Sequence, residues 1–406
     1  YPSSFNEAAI ITSDGVGEWA TTTIGFGKEN KIEIFNELKY PNSLGLLYSA
    51  VTTFLGFRAN YDEGKVMGLA SYGKPTYLTQ FKDMISLKPD GSFKINNDFF
   101  RFNQGNKMFS KEFEKIFGKS RNYQETIKKR HKDIAASLQK LVEEILIKIT
   151  NHLYDKTGTK NLCLAGGTFL NCVANRKIIK NSDFQDVFIQ PAAADSGGSL
   201  GAALYIYSSI MDKKFRGNIR KDGIYLGPEY SNLNIKRTII KKGYEYKKMK
   251  KSKLITFVAK KLAQNKIIGW FQGRMEFGPR ALGNRSILAN PENPEMRDII
   301  NNKVKHREKF RPFAPSILLE DAERYGINSD VPFMIQSFEV DDKNKDEIIS
   351  AIHVDGTARP QTVSKGRNRT YHELIKEFKK ITGVPALLNT SFNDSGEPIV
   401  CTPEDA

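Results

Sequence analysis

The sequence predicts an α/β protein of two domains, and three observations carry that prediction. Two successive segments, Asn161–Ala165 and Asp186–Ile189, are short apolar runs followed by glycine-bearing turns and then by helix-like stretches. That order builds a sheet covered by helices, with ligands at the strand ends. At 406 residues the chain exceeds the ~100–200 residues of an ordinary single domain. A polar, basic stretch from Met211 to Asp222 divides it, so we expect one domain over 1–210, a linker over 211–222 and a second domain over 223–406.

The elements follow in chain order. Ala8–Thr12 is β-rich and ends at Asp14-Gly15, and Thr21–Ile24 reads as its returning strand. Ser43 caps a mostly apolar helix predicted over Leu44–Phe57. From Lys132 to Tyr154, apolar residues from Ile134 and Leu138 to Ile149 and Leu153 recur at the 3.6 period of an amphipathic helix. After the strand Asn161–Ala165 come Gly166-Gly167 and a helix predicted over Phe169–Ile179. After Asp186–Ile189 come a turn at Pro191–Ala194 and then Asp195-Ser196-Gly197-Gly198, which opens a small-residue helix through Gly201–Leu204. In the second domain a helix over Leu254–Gln264 and a strand over Ile267–Phe271 precede a loop dense in Gly and Arg.

No uninterrupted apolar run approaches the ~20 residues a membrane helix needs, so a spanning helix is excluded. Cys163, Cys172 and Cys401 make no disulfide framework and sit in no metal-ligand spacing, which points to a reducing, cytoplasmic compartment. A net charge of +16 invites a nucleic-acid reading, but lysine is spread along the whole chain. The densest run, Lys236 to Lys253, holds nine basic residues against the single acid Glu245, and reads first as a solvated charged segment. The chain opens at Tyr1 and stops at Ala406, directly after a helix-start-like Pro403-Glu404-Asp405. We therefore expect both ends to be cut from a longer protein.

The strongest chemical signal is GRMEFGPRALGNRS, Gly273 to Ser286, followed by Lys305-His306-Arg307-Glu308 and Arg311-Pro312-Phe313. Arg274, Arg280, Arg285, Lys305, Arg307 and Arg311 flank a polar segment from Asn290 to Asn302. Guanidinium forks suit phosphate oxygens, and interleaved glycines let backbone approach a ligand. A solvated surface loop is the plain alternative. DGTARPQ with Arg359, and Leu388–Asn393 with Asn389 and Ser391, each place polar groups after strand-like runs, where ordinary turn chemistry would also suffice. In the first domain, Asp14-Gly15, Gly166-Gly167 and the turn at Asp195 look like a phosphate-clasping set, and the two aspartates could hold a divalent metal. Asp195 could equally be a helix N-cap.

Seven blocks, YDEGKVMGLASYG, LAGGTFLNCVANRKI, DSGGSLGAAL, GRMEFGPRALGNRSILANP, KHREKFRPFAPSIL, DGTARPQTV and NTSFNDSGEPIV, occur in an order that resembles the carbamoyltransferase family of the NodU/CmcH type over nearly the whole chain. The resemblance implies an actin-like (ASKHA) N-terminal domain, similar to the tRNA threonylcarbamoyl-transferring TsaD proteins and truncated at its start, followed by a YrdC-like α/β domain. It implies an ATP-dependent O-carbamoyltransferase acting on a sugar-type hydroxyl. Arg280, Lys305, Arg311, Arg359, Asn389 and Ser391 match positions that bind carbamoyl phosphate and ATP, with Mg2+, to make carbamoyl adenylate. Arg274, Arg285 and Arg307 are the further phosphate-suited cations. Gly166, Gly167 and Asn171 match a nucleotide-contacting turn, and Asp14 and Asp195 match metal ligands, with iron the first expectation. The family's H-x-x-x-H ligands would lie just before Tyr1, so metal binding is expected to be weak in this chain. The resemblance leaves room for a homodimer and gives no membrane or nucleic-acid partner. A tRNA-modifying carbamoyl enzyme and a non-catalytic nucleic-acid binder are the competing readings.

Overall fold

The computed structural model describes residues 1–103, 107–215 and 217–406. The chain divides into two compact units, Tyr1–Gly217 and Asn218–Ala406; a short helix, Ile219–Asp222, lies in the stretch read as linker. Both units are mixed α/β.

In the first unit β1 (Glu7–Ser13) turns at Asp14-Gly15 and pairs antiparallel with β2 (Ala20–Lys28), which pairs with β3 (Lys31–Lys39). On its other edge β1 runs parallel to β4 (Asn161–Ala165), and β4 to β5 (Asp186–Ile189), giving the order β3-β2-β1-β4-β5. The register sets Ile11 beside both Ile24 and Leu164. Parallel pairing brings the C-terminal ends of β1, β4 and β5 to one edge of the sheet, where the turns at Asp14, Gly166 and Ala194 begin. Helix α1 (Leu44–Phe54) starts at Ser43, whose Oγ accepts the Leu46 N–H at 3.0 Å. It stops three residues short of the predicted end, where Gly56 has φ +75°. Helix α2 (Lys129–Thr157) buries Ile134, Leu138, Leu141, Ile145 and Leu153 and lies against β1, β2 and α3 (Cys172–Lys180). The helix predicted over Phe169–Ile179 is broken in two. Gly167–Leu170 forms a 3-10 turn, and α3 begins only after Asn171, whose Oδ1 accepts the Ala174 N–H. The small-residue helix α4 spans Gly198–Tyr205.

In the second unit the amphipathic helices α5 (Asn232–Lys241) and α6 (Lys251–Ala263) precede β6 (Ile268–Phe271). The Gly/Arg-rich loop then leads into β7 (Arg285–Ala289), all five residues of which are buried. The polar segment after it contains α7 (Met296–Lys303), which turns Met296, Ile300 and Asn301 inward. β8 (Ala314–Leu318), β9 (Gln361–Val363), α8 (Arg369–Thr382) and β10 (Ala386–Ser391) complete the sheet, ordered β9-β8-β10-β7-β6. Ile255, Val258 and Leu262 of α6 share a core with Leu374, Ile375 and Phe378 of α8 and with Ile317 and Leu387 of the sheet. No helix among the described residues is long and apolar enough to cross a membrane.

Gly283 joins the loop to this core. Its φ is +99°, and a Cβ there would sit 2.2 Å from the buried Tyr371 ring. Gly283→Ala is expected to cost the second unit about 3 kcal/mol, the sum of a left-handed backbone penalty and overpacking. Urea unfolding followed through the buried Trp270 measures it, and an unchanged midpoint would refute the packing argument.

Candidate active site

The end of α7, the end of β10 and the β8–β9 side of the second unit gather most of the predicted cations. Lys305 follows α7 and is 3% exposed. Its Nζ donates to the Ser391 carbonyl at 2.5 Å, the Asn393 carbonyl at 2.9 Å and Asn393 Oδ1 at 2.6 Å, with Ser391 Oγ at 3.4 Å. Ser391 Oγ donates to the same Asn393 Oδ1 at 2.6 Å. Asn301 of α7 orients two further cations: its Oδ1 accepts from Arg307 Nε at 2.8 Å, and its Nδ2 donates to the Arg311 carbonyl at 3.3 Å. The Arg307 guanidinium lies 4.7 Å from the Phe313 ring centroid. Arg311 faces Glu308 at 3.8 Å. Arg359 follows the short strand Thr357–Ala358, and its buried Nε has no hydrogen-bond partner among the described residues.

These cations repel one another. Burial, followed by Arg307 and Arg311, lowers the Lys305 ammonium from 10.5 to about 7, against a partial pull from Asp394. Burial and then Arg311, with a smaller push from Arg359, lower Arg307 to about 9. Like charges held together and partly desolvated cost free energy that a bound anion returns. Because the folded Lys305 binds its proton more weakly than the unfolded one, the protein binds fewer protons than the unfolded chain between about pH 7 and 10.5. This group's contribution to stability therefore rises with pH through that window and is lowest below it. Anion binding has the opposite dependence. Sulfate affinity is expected to fall up to about tenfold per pH unit above 7 as the ammonium is lost, with proton uptake visible by calorimetry in two buffers. Lys305→Met should flatten the profile, and an unaltered profile would show that Lys305 does not face the anion.

The other predicted residues of this unit divide by position. Asn389, 1% exposed, donates through Nδ2 to Ser316 Oγ at 3.0 Å and to the Ala281 carbonyl at 3.2 Å, which sets it beside Arg280. Its Oδ1 has no partner among the described residues. Arg274 is exposed and donates to the Leu226 carbonyl at 3.0 Å. Arg285 is fully buried, stacked 3.6 Å from the Phe271 ring centroid. Its terminal nitrogens donate to the carbonyls of Gln272, Gly273, Asn284 and Pro228. Where the sequence suggested a phosphate contact, the structure shows a guanidinium committed to holding the loop. Glu276 has the complementary role: Oε1 accepts the N–H groups of Leu282 at 2.6 Å, Asn284 at 2.8 Å and Arg285 at 3.3 Å. Burial pushes its carboxyl above the usual range. Sequence reasoning passed over Glu276 and Asn393; the signal for Glu276 was a lone acid among the loop's cations.

In the first unit three turns converge. Gly166, at φ +102°, donates its N–H to the Ala193 carbonyl at 2.7 Å, and a Cβ on it would lie 2.1 Å from the Ser13 carbonyl oxygen. A Cβ on Gly167 would lie 2.8 Å from Asp14 Oδ1 and 3.8 Å from the Ala194 Cβ, so the Asp14 and Ala194 turns flank this glycine. Asp14 Oδ1 accepts the Gly15 N–H at 2.7 Å. Asp195 is exposed and opens a 3-10 turn without any side-chain cap hydrogen bond, so its capping alternative is not realised. Asn171 is turned to α2, exchanging hydrogen bonds with Gln139 at 2.8 and 3.2 Å while it caps α3. No group of three or more His, Cys, Asp or Glu suited to a metal occurs among the described residues. Asp14 and Asp195 alone do not fit a metal centre.

Comparison with known proteins accounts for both units. Residues 1–204 match the family model described as carbamoyltransferase N-terminus, and residues 259–406 the one described as carbamoyltransferase C-terminus. Over its full length the chain is 42% identical to an uncharacterized protein of Synechocystis, covering 70% of that protein. It is 38% identical to nodulation protein NolNO of Sinorhizobium fredii and 38% identical to nodulation protein NolO of Bradyrhizobium diazoefficiens. It spans 58% and 72% of those two relatives, respectively. With both family halves matched in order, and the cationic cluster lying within the C-terminal match, the chain belongs to the carbamoyltransferase family.

Proposed function

We propose that this carbamoyltransferase makes carbamoyl adenylate from carbamoyl phosphate and ATP in its second unit, and transfers the carbamoyl group to a sugar-type hydroxyl in its first. The observation that carries the reading is the close cluster of Lys305, Arg307, Arg311 and Arg359, in which burial first and mutual repulsion second lower the pKa values of Lys305 and Arg307. Two phosphorylated substrates meeting in one site bring the negative charge that such a cluster lacks. Carbamoyl phosphate first gives up its phosphoryl group to water, releasing inorganic phosphate and leaving carbamate. A carbamate oxygen then attacks the α-phosphorus of ATP, the bond to the β,γ-pyrophosphate breaks and pyrophosphate leaves, and fixed cations offset the charge that gathers on the phosphoryl oxygens. Asn389 Oδ1, buried without a partner among the described residues, suits a carbamoyl N–H. Mg2+ would enter with ATP. In the second step the acceptor oxygen attacks the carbamoyl carbon and AMP leaves. The convergence of the Asp14, Gly167 and Ala194 turns supports placing that step in the first unit. No step is assigned to a metal, because the residues present do not supply its ligands.

The test is pyrophosphate exchange into ATP. Exchange that requires carbamoyl phosphate is the expected result; phosphate transfer giving ADP would refute the adenylate.

A further inference from the structure

The basic run Lys236–Lys253 has no part in that chemistry, and the structure gives its first half a defined shape. On α5, Leu233, Lys236, Arg237, Ile240 and Lys241 follow i, i+3, i+4, i+7, i+8 spacing, which puts them on one helical face. All five are exposed. The opposite side carries the buried Thr238, whose Oγ1 donates to Glu404 at 2.8 Å. Leu233 and Ile240 are 55% and 57% exposed. Tyr246, also exposed, stands across from Lys236, with Nζ 5.9 Å from its ring centroid. Of the nine basic residues in the run, Lys251 pairs with Glu373 at 3.2 Å. The other eight form no ion pair among the described residues.

We propose that this face of α5, together with Tyr246, docks on an anionic bilayer surface. Unpaired lysines are attracted to anionic headgroups, and apolar side chains set between them gain by entering the headgroup and acyl boundary. A solvated charged face has no use for two bare aliphatic side chains one helical stretch apart. A nucleic-acid groove also offers them nothing, since its phosphates are met by cations and its bases by stacking; Leu233 and Ile240 therefore favour lipid. That no helix among the described residues is long and apolar enough to cross a membrane does not bear on this, because such a face lies on the bilayer.

The whole chain is sedimented with phosphatidylcholine vesicles with and without about 30% phosphatidylglycerol. Binding to the anionic vesicles alone, lost at high salt, is expected. Leu233→Ser with Ile240→Ser should weaken it about tenfold, and Lys236→Glu with Lys241→Glu should abolish it. All four sites are exposed, and Trp270 fluorescence reports whether the fold is kept. Absence of binding to anionic vesicles would overturn the proposal. So would undiminished binding by either double variant, or displacement of the protein from vesicles by a single-stranded RNA.

Discussion

Lys305→Ala is expected to lower carbamoyl-phosphate-dependent pyrophosphate exchange by about a thousandfold or more, the scale of removing a preorganised charge from a phosphoryl-transfer site. Lys305 Nζ is held by the Ser391 and Asn393 carbonyls and Asn393 Oδ1 in a nearly closed setting. It cannot relax toward solvent, and since its three N–H groups are given to these oxygens, a bound anion would meet its charge rather than a free donor. Lys305→Arg should fail to rescue, because a guanidinium fork does not fit a pocket formed around one nitrogen. Arg359→Ala should give a loss of about a hundredfold or more, with little change in stability, since the Arg359 Nε has no partner to lose. Exchange assays beside urea unfolding followed at Trp270 separate the two quantities. A variant that unfolds would count against a catalytic reading of that residue, and full exchange by Lys305→Ala would remove Lys305 from the site.

Asp195→Ala should act on the other half of the reaction. Asp195 is exposed and makes no capping hydrogen bond, so its loss should leave the fold and pyrophosphate exchange intact. Because Asp195 directly follows Ala194, which flanks the Gly167 turn where transfer is proposed, carbamoyl transfer to a sugar hydroxyl should fall by about a hundredfold or more. Asp14→Ala is less selective, because Asp14 Oδ1 also holds the Gly15 N–H. Equal loss of exchange and transfer in Asp195→Ala would break the separation of the two steps.

The sequence exposed these residues unevenly, for physical reasons. β1, β4 and β5 were legible because each is an apolar run ended by a turn residue, and Ser43 announced α1 through its cap. β7 was hidden. Arg285 and Ser286 look like loop residues, yet every residue from Arg285 to Ala289 is buried, because loop carbonyls and the Phe271 ring satisfy the Arg285 side chain. The same burial turned Arg285 from a predicted phosphate contact into a support for the loop. α7 was masked by its asparagines, one of which, Asn301, is buried to orient Arg307. The cations at Lys305, Arg307 and Arg311 stood out by residue type alone, but their mutual repulsion appears only when the fold brings them together. At Asn171 the sequence did not show that the amide caps a helix and pairs with Gln139, because those partners lie three residues on and in a helix distant in sequence.

The central claim is that a carbamate oxygen bonds to the α-phosphorus of ATP, and an isotope experiment reads that bond directly. Carbamoyl phosphate carrying a heavy-oxygen label in its carbonyl is turned over with unlabelled ATP and a sugar acceptor, and the AMP is analysed by mass spectrometry. The account predicts label in the phosphate of AMP, delivered through the bridging oxygen of carbamoyl adenylate. Unlabelled AMP, or label found in the carbamoyl product and nowhere in nucleotide, would contradict it.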